Sequence, residues 1–143
     1  MVSAYIRRLF VDMDGVLADF DRHHEDMLGF RSCKIIENVD WKLVRGVKDF
    51  YLGIPPMPDM QELWDRIARH DPIVLTGIPS SIAEAADNKR AWARKHIGDH
   101  VEVRCCFAKE KCLHAAPGDA LINDWQKAPP FVDRSGRHLD HAS

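Results

Sequence analysis

Two carboxylates one residue apart, Asp12 and Asp14, are followed at once by Gly15 in the run DMDGVLAD. At a strand end such a pair can point two ways, one carboxylate toward a reacting centre and the other beside it. Oxygen ligands of this kind suit a hard divalent cation such as magnesium, which takes a few carboxylates and keeps water in the rest of its shell. Asp12 and Asp124 would supply two of them. A carboxylate can also attack phosphorus itself, forming an aspartyl-phosphate that divides one hard displacement into two easier ones. A neighbouring acid must then protonate the departing oxygen and later deprotonate water, and Asp14 stands where that acid is needed. Gly15 lets the chain turn sharply after the pair. A calcium loop or a plain acidic turn competes for the same residues. The calcium loop needs Gly at its sixth position and Glu at its twelfth, between two helices, whereas Gly15 is fourth and strand-like residues precede it.

The elements that must position these groups are legible as patterns. Ile6 to Val11 is a short apolar run, interrupted by Arg7 and Arg8, that reads as a strand opening into the Asp12–Gly15 turn. A helix is expected from Phe20 to about Leu28, with Phe20, His24, Met27 and Leu28 on one face. From there to Pro58 the pattern is irregular, and Pro55, Pro56 and Pro58 exclude a helix interior. Residues 20–58 therefore read as a small inserted cap between two parts of one core, 1–19 and 59–143. Asp59 with Glu62 three residues on resembles a capping box, opening a helix whose stripe is Met60, Leu63, Trp64, Ile67 and Ala68. Pro72 to Leu75 reads as a buried strand ending at Thr76-Gly77. Ser80 or Ser81 then caps a helix carrying Ile82, Ala85, Ala86, Trp92 and Ile97, closed by Gly98. Val101, Val103, Cys105 and Phe107 alternate as a third strand, and Ala120-Leu121-Ile122 forms a fourth that runs into Asn123-Asp124.

Strands alternating with helices predict an α/β fold, a mostly parallel sheet with helices on both faces. Ligands of such sheets collect at the carboxyl ends of the strands. Three of the four strands end there in Asp12/Asp14, Thr76 and Asp124, so polar groups from distant parts of the chain converge.

Composition narrows the partners. The formal charge of −2 gives no reason to expect a nucleic-acid polymer or an anionic membrane. No apolar run approaches the ~20 residues of a bilayer span. The first residues carry two arginines, but their apolar run leads straight into Asp12, so they read as structure and not as a targeting peptide. Four cysteines, two of them adjacent, make a poor disulfide framework and suggest reduced thiols in the cytoplasm. The eight histidines and the cysteines show no zinc spacing. Lys89, Arg90, Arg94 and Lys95 read as a solvated helix face.

The stretch DMDGVLADF after a strand resembles the first motif, DxDGxxxD, of the haloacid dehalogenase superfamily. More narrowly, VDMDGVLADF is similar to the 5'(3')-deoxyribonucleotidase family. The likeness continues through PPMPDMQELWDRIARHDPIVLTG, NKRAWARKHIG and ALINDW, where that family usually has LIDDR. The resemblance implies a Rossmann-like core with a small helical cap after the first strand, and a magnesium-dependent phosphatase. Asp12 would be nucleophile and metal ligand. Asp14 would be the general acid/base and offer its backbone carbonyl to the metal, and Asp124 would complete the protein's share of the shell. Thr76 would bond the transferring phosphoryl group, with Gly77 beside it. Lys111, or Lys109 in the same AKEK segment, would neutralise phosphate charge, and Lys89 would approach it from the helix start. Phe20, with Trp41, Phe50 and Tyr51, would meet the substrate from the cap or simply pack there.

The expected substrate is a small phosphorylated metabolite, a nucleoside or deoxynucleoside monophosphate first and another small phosphate ester second. Two departures stand out: Asn123 replaces the first of two acids, and Trp125 replaces an arginine. Together with the short C-terminal stretch they leave room for a catalytically weak relative acting as a binding or regulatory module.

Overall fold

The structure, a computed structural model, describes residues 7–33, 36–107, 116–123 and 131–132. In chain order these form β1 (Leu9–Val11), α1 (Phe20–Leu28), α2 (Trp41–Gly46), α3 (Met60–Ile67) continued by a 3₁₀ turn (Ala68–His70), β2 (Ile73–Gly77), α4 (Ala85–His96), β3 (Val103–Cys106), β4 (Ala120–Ile122) and β5 (Phe131–Val132).

All strand pairings are parallel, in the order β3-β2-β1-β4-β5. The strands are short and apolar because their neighbours hide them: all three residues of β1 are buried. Alternation sorts them into two clusters. Leu9, Val11, Val74, Ala120 and Ile122 join the large core, whereas Phe10, Leu75 and Cys106 form a small one with Ile73 and Leu121 at its margin. The steps β1→β2→β3 move in one direction across the sheet, so right-handed crossovers put their helices on one face. Met60, Leu63, Trp64 and Ile67 of α3 and Ala85, Trp92 and Ala93 of α4 all lie in the large cluster accordingly. Among the described residues no helix contributes to the small cluster. The expected covering of both faces depends on the link between β3 and β4, of which 108–115 lie outside the described residues.

The fourth expected strand is found at its expected bounds, the first and third are shorter than the patterns that announced them, and the second starts one residue later, at Ile73, and runs on through Thr76 to Gly77. The fifth, Phe131–Val132, was not foreseen, because two apolar residues carry no period. Two helix expectations are corrected. The buried face of α1 is Phe20, His23 and His24, while Met27 is exposed. Helix α4 begins at Ala85 with Glu84 as its N-cap residue, and neither Ser80 nor Ser81 caps it. Glu84 turns elsewhere: its Oε1 accepts from Asp49 N–H at 3.0 Å, tying the segment before Ile54 to the start of α4.

The 20–58 segment has no core of its own. Phe20, Val44, Phe50, Tyr51 and Ile54 belong to the large cluster. Its two ends are zipped together: Asp19 N–H donates to Pro55 O and Met57 N–H to Leu17 O, both at 2.8 Å. Trp92, fully buried, adds an indole N–H bond to Ile54 O at 2.7 Å. Asp19 caps α1 by accepting from Arg22 N–H at 3.4 Å, and Gly29 ends it in the left-handed region at φ 92°. His24 Nδ1 lies 2.7 Å from Phe30 O and its Nε2 accepts from Asp40 N–H at 3.2 Å, joining the end of α1 to the start of α2.

At the amino ends of β1 and β4 sits a partly buried ion pair. Asp119 accepts from Arg8 Nη2 at 3.0 Å and from Ala116 N–H at 2.9 Å. Exposed Arg7, 3.9 Å away, adds little. Burial pushes the Asp119 carboxyl up, but the Ala116 N–H and Arg8 together hold it below its ordinary value.

Two stability outcomes are expected. Trp92→Phe, which orphans the Ile54 carbonyl and leaves a void, should lower unfolding free energy by about 2–3 kcal/mol in urea titration. Asp119→Asn should cost about 2 kcal/mol at neutral pH. Because the folded carboxyl is depressed, its stabilisation is present above the unfolded value near 3.8 and lost as pH falls through the folded one. The gap between variant and wild type should therefore close in acid, and a constant gap across pH would contradict the assignment.

Candidate active site

The order β3-β2-β1-β4 reverses direction at β1, and the crevice of an open α/β sheet lies at such a reversal, beyond the carboxyl ends. Val11 is in register with Ile122, and Asp12 N–H donates to Ile122 O at 3.0 Å. Asp12 and Asn123 thus leave the sheet side by side. Beyond Asp12 the chain coils tightly, with the N–H groups of Val16, Leu17 and Ala18 all directed at Met13 O. Gly15 holds φ 84°, a left-handed conformation that a side chain would strain. This coil buries Asp12 at 3% exposure while leaving the Asp14 side chain 22% exposed. The Asp12 Oδ1 accepts from Met13 N–H at 2.9 Å, which fixes the plane of its carboxylate.

The second strand delivers Thr76, 1% exposed and in register with Cys105. The residue that joins these parts is Lys89 of α4, whose side chain is wholly buried. Its Nζ donates to Asp14 Oδ2 at 2.9 Å, Thr76 Oγ1 at 2.7 Å and Gly77 O at 2.7 Å. The Tyr51 ring covers it, with its centroid 4.7 Å from Nζ. The structure therefore brings Asp14, Thr76, Gly77 and Lys89 into one bonded group, with Asp12 two residues from Asp14 at the end of β1.

Lys89 corrects the expectation of a solvated face. Arg90, Arg94 and Lys95 are at least partly solvent-facing, but Lys89 is on the inner face of α4, four residues after Ala85 and three before Trp92. That spacing was the available signal: a lysine on the apolar stripe of a helix must find partners.

Phe20 sits at the centre of an aromatic group, its ring centroid 5.6 Å from Phe50, 6.1 Å from Tyr51 and 6.1 Å from Trp41. Phe20, Phe50 and Tyr51 are buried, whereas Trp41 is 45% exposed. Burial, and then the nearby Asp14 charge, push the Tyr51 phenol far above its ordinary value. Cys105 is half-buried beside β2. Burial pushes its thiol up and Arg90 and Lys89 offset this only in part, so it is a poor nucleophile near neutrality.

Asp124, Lys109 and Lys111 lie outside the described residues. Among the described residues no group of three or more His, Cys, Asp or Glu side chains could hold a metal ion. The donors present at the carboxyl end of β1, the Asp12 and Asp14 carboxylates and the Asp14 carbonyl, are hard oxygens that fit magnesium and not a thiophilic metal.

A phenol raised in the fold stabilises the protein below its unfolded value and loses that contribution as pH rises. Tyr51→Phe keeps the ring over Lys89 and should shift alkaline unfolding to higher pH. Absorbance at about 295 nm should show Tyr51 ionising only as wild type unfolds near or above its unfolded value of about 10.

No protein-family model matches this chain, and a comparison with curated proteins gave no match.

Proposed function

We propose that the chain is a magnesium-dependent phosphomonoester hydrolase working through an aspartyl-phosphate, with a haloacid dehalogenase-like core and residues 20–58 as its small cap. The observation that carries this reading is the meeting of Asp14, Thr76 and a buried Lys89, with Asp12 two residues before Asp14, at the point where the sheet reverses direction. The resemblance of DMDGVLADF and LINDW to that superfamily supports it further.

In the first step a carboxylate oxygen of Asp12 attacks phosphorus. The ester P–O bond breaks, its electron pair goes to the departing oxygen, and Asp14 gives that oxygen a proton. In the second step water attacks the same phosphorus and Asp14 takes its proton. The bond to Asp12 breaks, and inorganic phosphate leaves. The buried carboxylate of Asp12 is held in one plane by Met13 N–H, so attack needs little reorganisation. Thr76 would direct its hydroxyl to the phosphoryl oxygens, and Lys111, or Lys109 in the same segment, would add positive charge to them. Asp12, the Asp14 carbonyl and Asp124 would hold the cation. When bound, it would supply charge neutralisation for the attack of one anion on another.

The substrate we propose is a nucleoside or deoxynucleoside monophosphate. The aromatic group around Phe20, with Trp41 partly open to solvent, favours a flat apolar moiety on the ester side. A net charge near zero and the free cysteines among the described residues suit a cytoplasmic enzyme acting on a small metabolite. Among the described residues no helix is long and apolar enough to cross a membrane.

Hydrolysis of p-nitrophenyl phosphate should depend on added magnesium and disappear with chelator. Asp12→Asn should lower kcat by ~10⁴-fold or more while leaving the fold intact by circular dichroism. A panel of 5'- and 3'-monophosphates then ranks the substrates. Wild-type protein that binds magnesium yet turns over none of these esters would instead favour a binding module, a reading that Asn123 keeps in view.

A further inference from the structure

His24 is wholly buried, and both of its ring nitrogens are engaged. Nδ1 lies 2.7 Å from Phe30 O, an acceptor, so it must carry the hydrogen. Nε2 faces the Asp40 N–H at 3.2 Å, so it must offer its lone pair. Only a neutral imidazole with its hydrogen on Nδ1 makes both bonds. A proton added at Nε2 would set two donors head to head in a buried site, and one of them would have to leave.

We infer that His24 is an acid-sensitive latch between α1 and α2, closed while its imidazole is neutral and released when the ring is protonated. The two bonds respond differently. Nδ1–H donates to Phe30 O in either state, so the end of α1 keeps its partner and serves as the pivot. The bond to Asp40 is the one lost, and Asp40 immediately precedes α2. That helix has little else to hold it, since Val44 is its one buried residue. The Asp40 carboxylate accepts from Leu43 N–H at 3.1 Å as the helix cap, so turning it toward an imidazolium would undo the first turn of α2 instead. The remaining charges on this side of α1 are already engaged: Asp21 accepts from Ser32 Oγ at 2.6 Å, and Asp19 lies 3.9 Å from Arg31. By either route the start of α2 moves, and Trp41 is drawn off Phe20, whose ring it meets at 6.1 Å.

The neighbouring imidazole adds to the response. His23 is buried against Phe50 at 4.6 Å, and a Cβ added at Gly53 would come within 3.4 Å of its ring. Burial pushes its imidazole below the ordinary 6.5, and the Phe50 carbonyl and the Asp26 charge offset this only in part. Arg22 lies 3.8 Å from that same Asp26. The stability that neutral His23 contributes is therefore present above 6.5 and lost as pH falls through its folded value. Two buried imidazoles on one helix thus answer acid in the same direction.

The latch needs no phosphatase chemistry, and its test reads structure alone. Nitrogen-15 imidazole spectra and amide hydrogen exchange are measured on the full chain at about pH 7.5 and about pH 5. At the higher pH His24 should be the Nδ1–H tautomer, with the Asp40 amide protected. At the lower pH the Asp40 protection factor should fall by about 10-fold or more. That of Val74, whose N–H donates to Glu102 O at 3.0 Å in the sheet, should hold within about threefold. His24→Gln offers Asp40 a carbonyl oxygen that does not titrate, so its Asp40 protection should agree within about twofold at the two pH values. An Nε2–H tautomer at the higher pH, an Asp40 protection factor indifferent to pH, or a fall shared equally by Val74 overturns the latch. So does a loss in His24→Gln as large as that in wild type. Should the variant not fold, the wild-type tautomer and the comparison of Asp40 with Val74 decide the matter by themselves.

Discussion

A buried ammonium dictates the shape of the candidate site. Moving a charge of that size out of water costs several kcal/mol even after relaxation, and only close partners on every donor offset it. Lys89 therefore constrains its surroundings as much as they constrain it. The carboxylate of Asp14, the hydroxyl of Thr76 and the carbonyl of Gly77 must stay within bonding range, or α4 cannot keep its inner face against the sheet. The coil after β1, the end of β2 and one turn of α4 are coupled through a single atom. The same requirement explains the aromatic cover, because a π-face is among the few apolar surfaces that welcome a cation.

The 20–58 segment is held by several independent ties. Its ends pair with each other through Asp19–Pro55 and Leu17–Met57, and α4 grips it through Trp92 at Ile54 and Glu84 at Asp49. Each tie is a backbone group satisfied by a specific partner, which is how a stretch with little regular structure avoids orphaned polar atoms. Tyr51 is placed by this frame and by its contacts with Phe20 and Phe50. The geometry around Lys89 thus depends on residues far from it in the chain, and a change in the frame would be felt at the carboxyl ends of the strands.

Much of this was legible in the residues alone, for identifiable reasons. The strands at Leu9–Val11, Ile73–Gly77 and Ala120–Ile122 announce themselves because buried parallel strands must be continuously apolar. The amphipathic stripe of α3 was readable because its outer face is charged. Lys89 was harder, since a lysine on a helix is usually solvated, and only its spacing from Ala85 and Trp92 contradicts that. The start of α4 was misplaced because Ser80 and Ser81 are favourable caps locally, while Ile82 is drawn into the core and Glu84 has a partner in Asp49. Met27 fits the α1 period but stays exposed among the described residues, whereas His23 is buried against Phe50 at 4.6 Å. Local preference proposes in each case, and a long-range contact decides.

The Asp119–Arg8 pair stands at the opposite rim of the sheet from Asp12. Strands of three to five residues separate the two rims by roughly 10–15 Å, far enough for changes at one to add to changes at the other without coupling. The molecule therefore carries a stabilising anchor that is spatially divorced from its candidate site. Selection or an engineer could strengthen the anchor without disturbing the arrangement around Lys89, and so create tolerance for otherwise destabilising substitutions around Phe20 and Trp41.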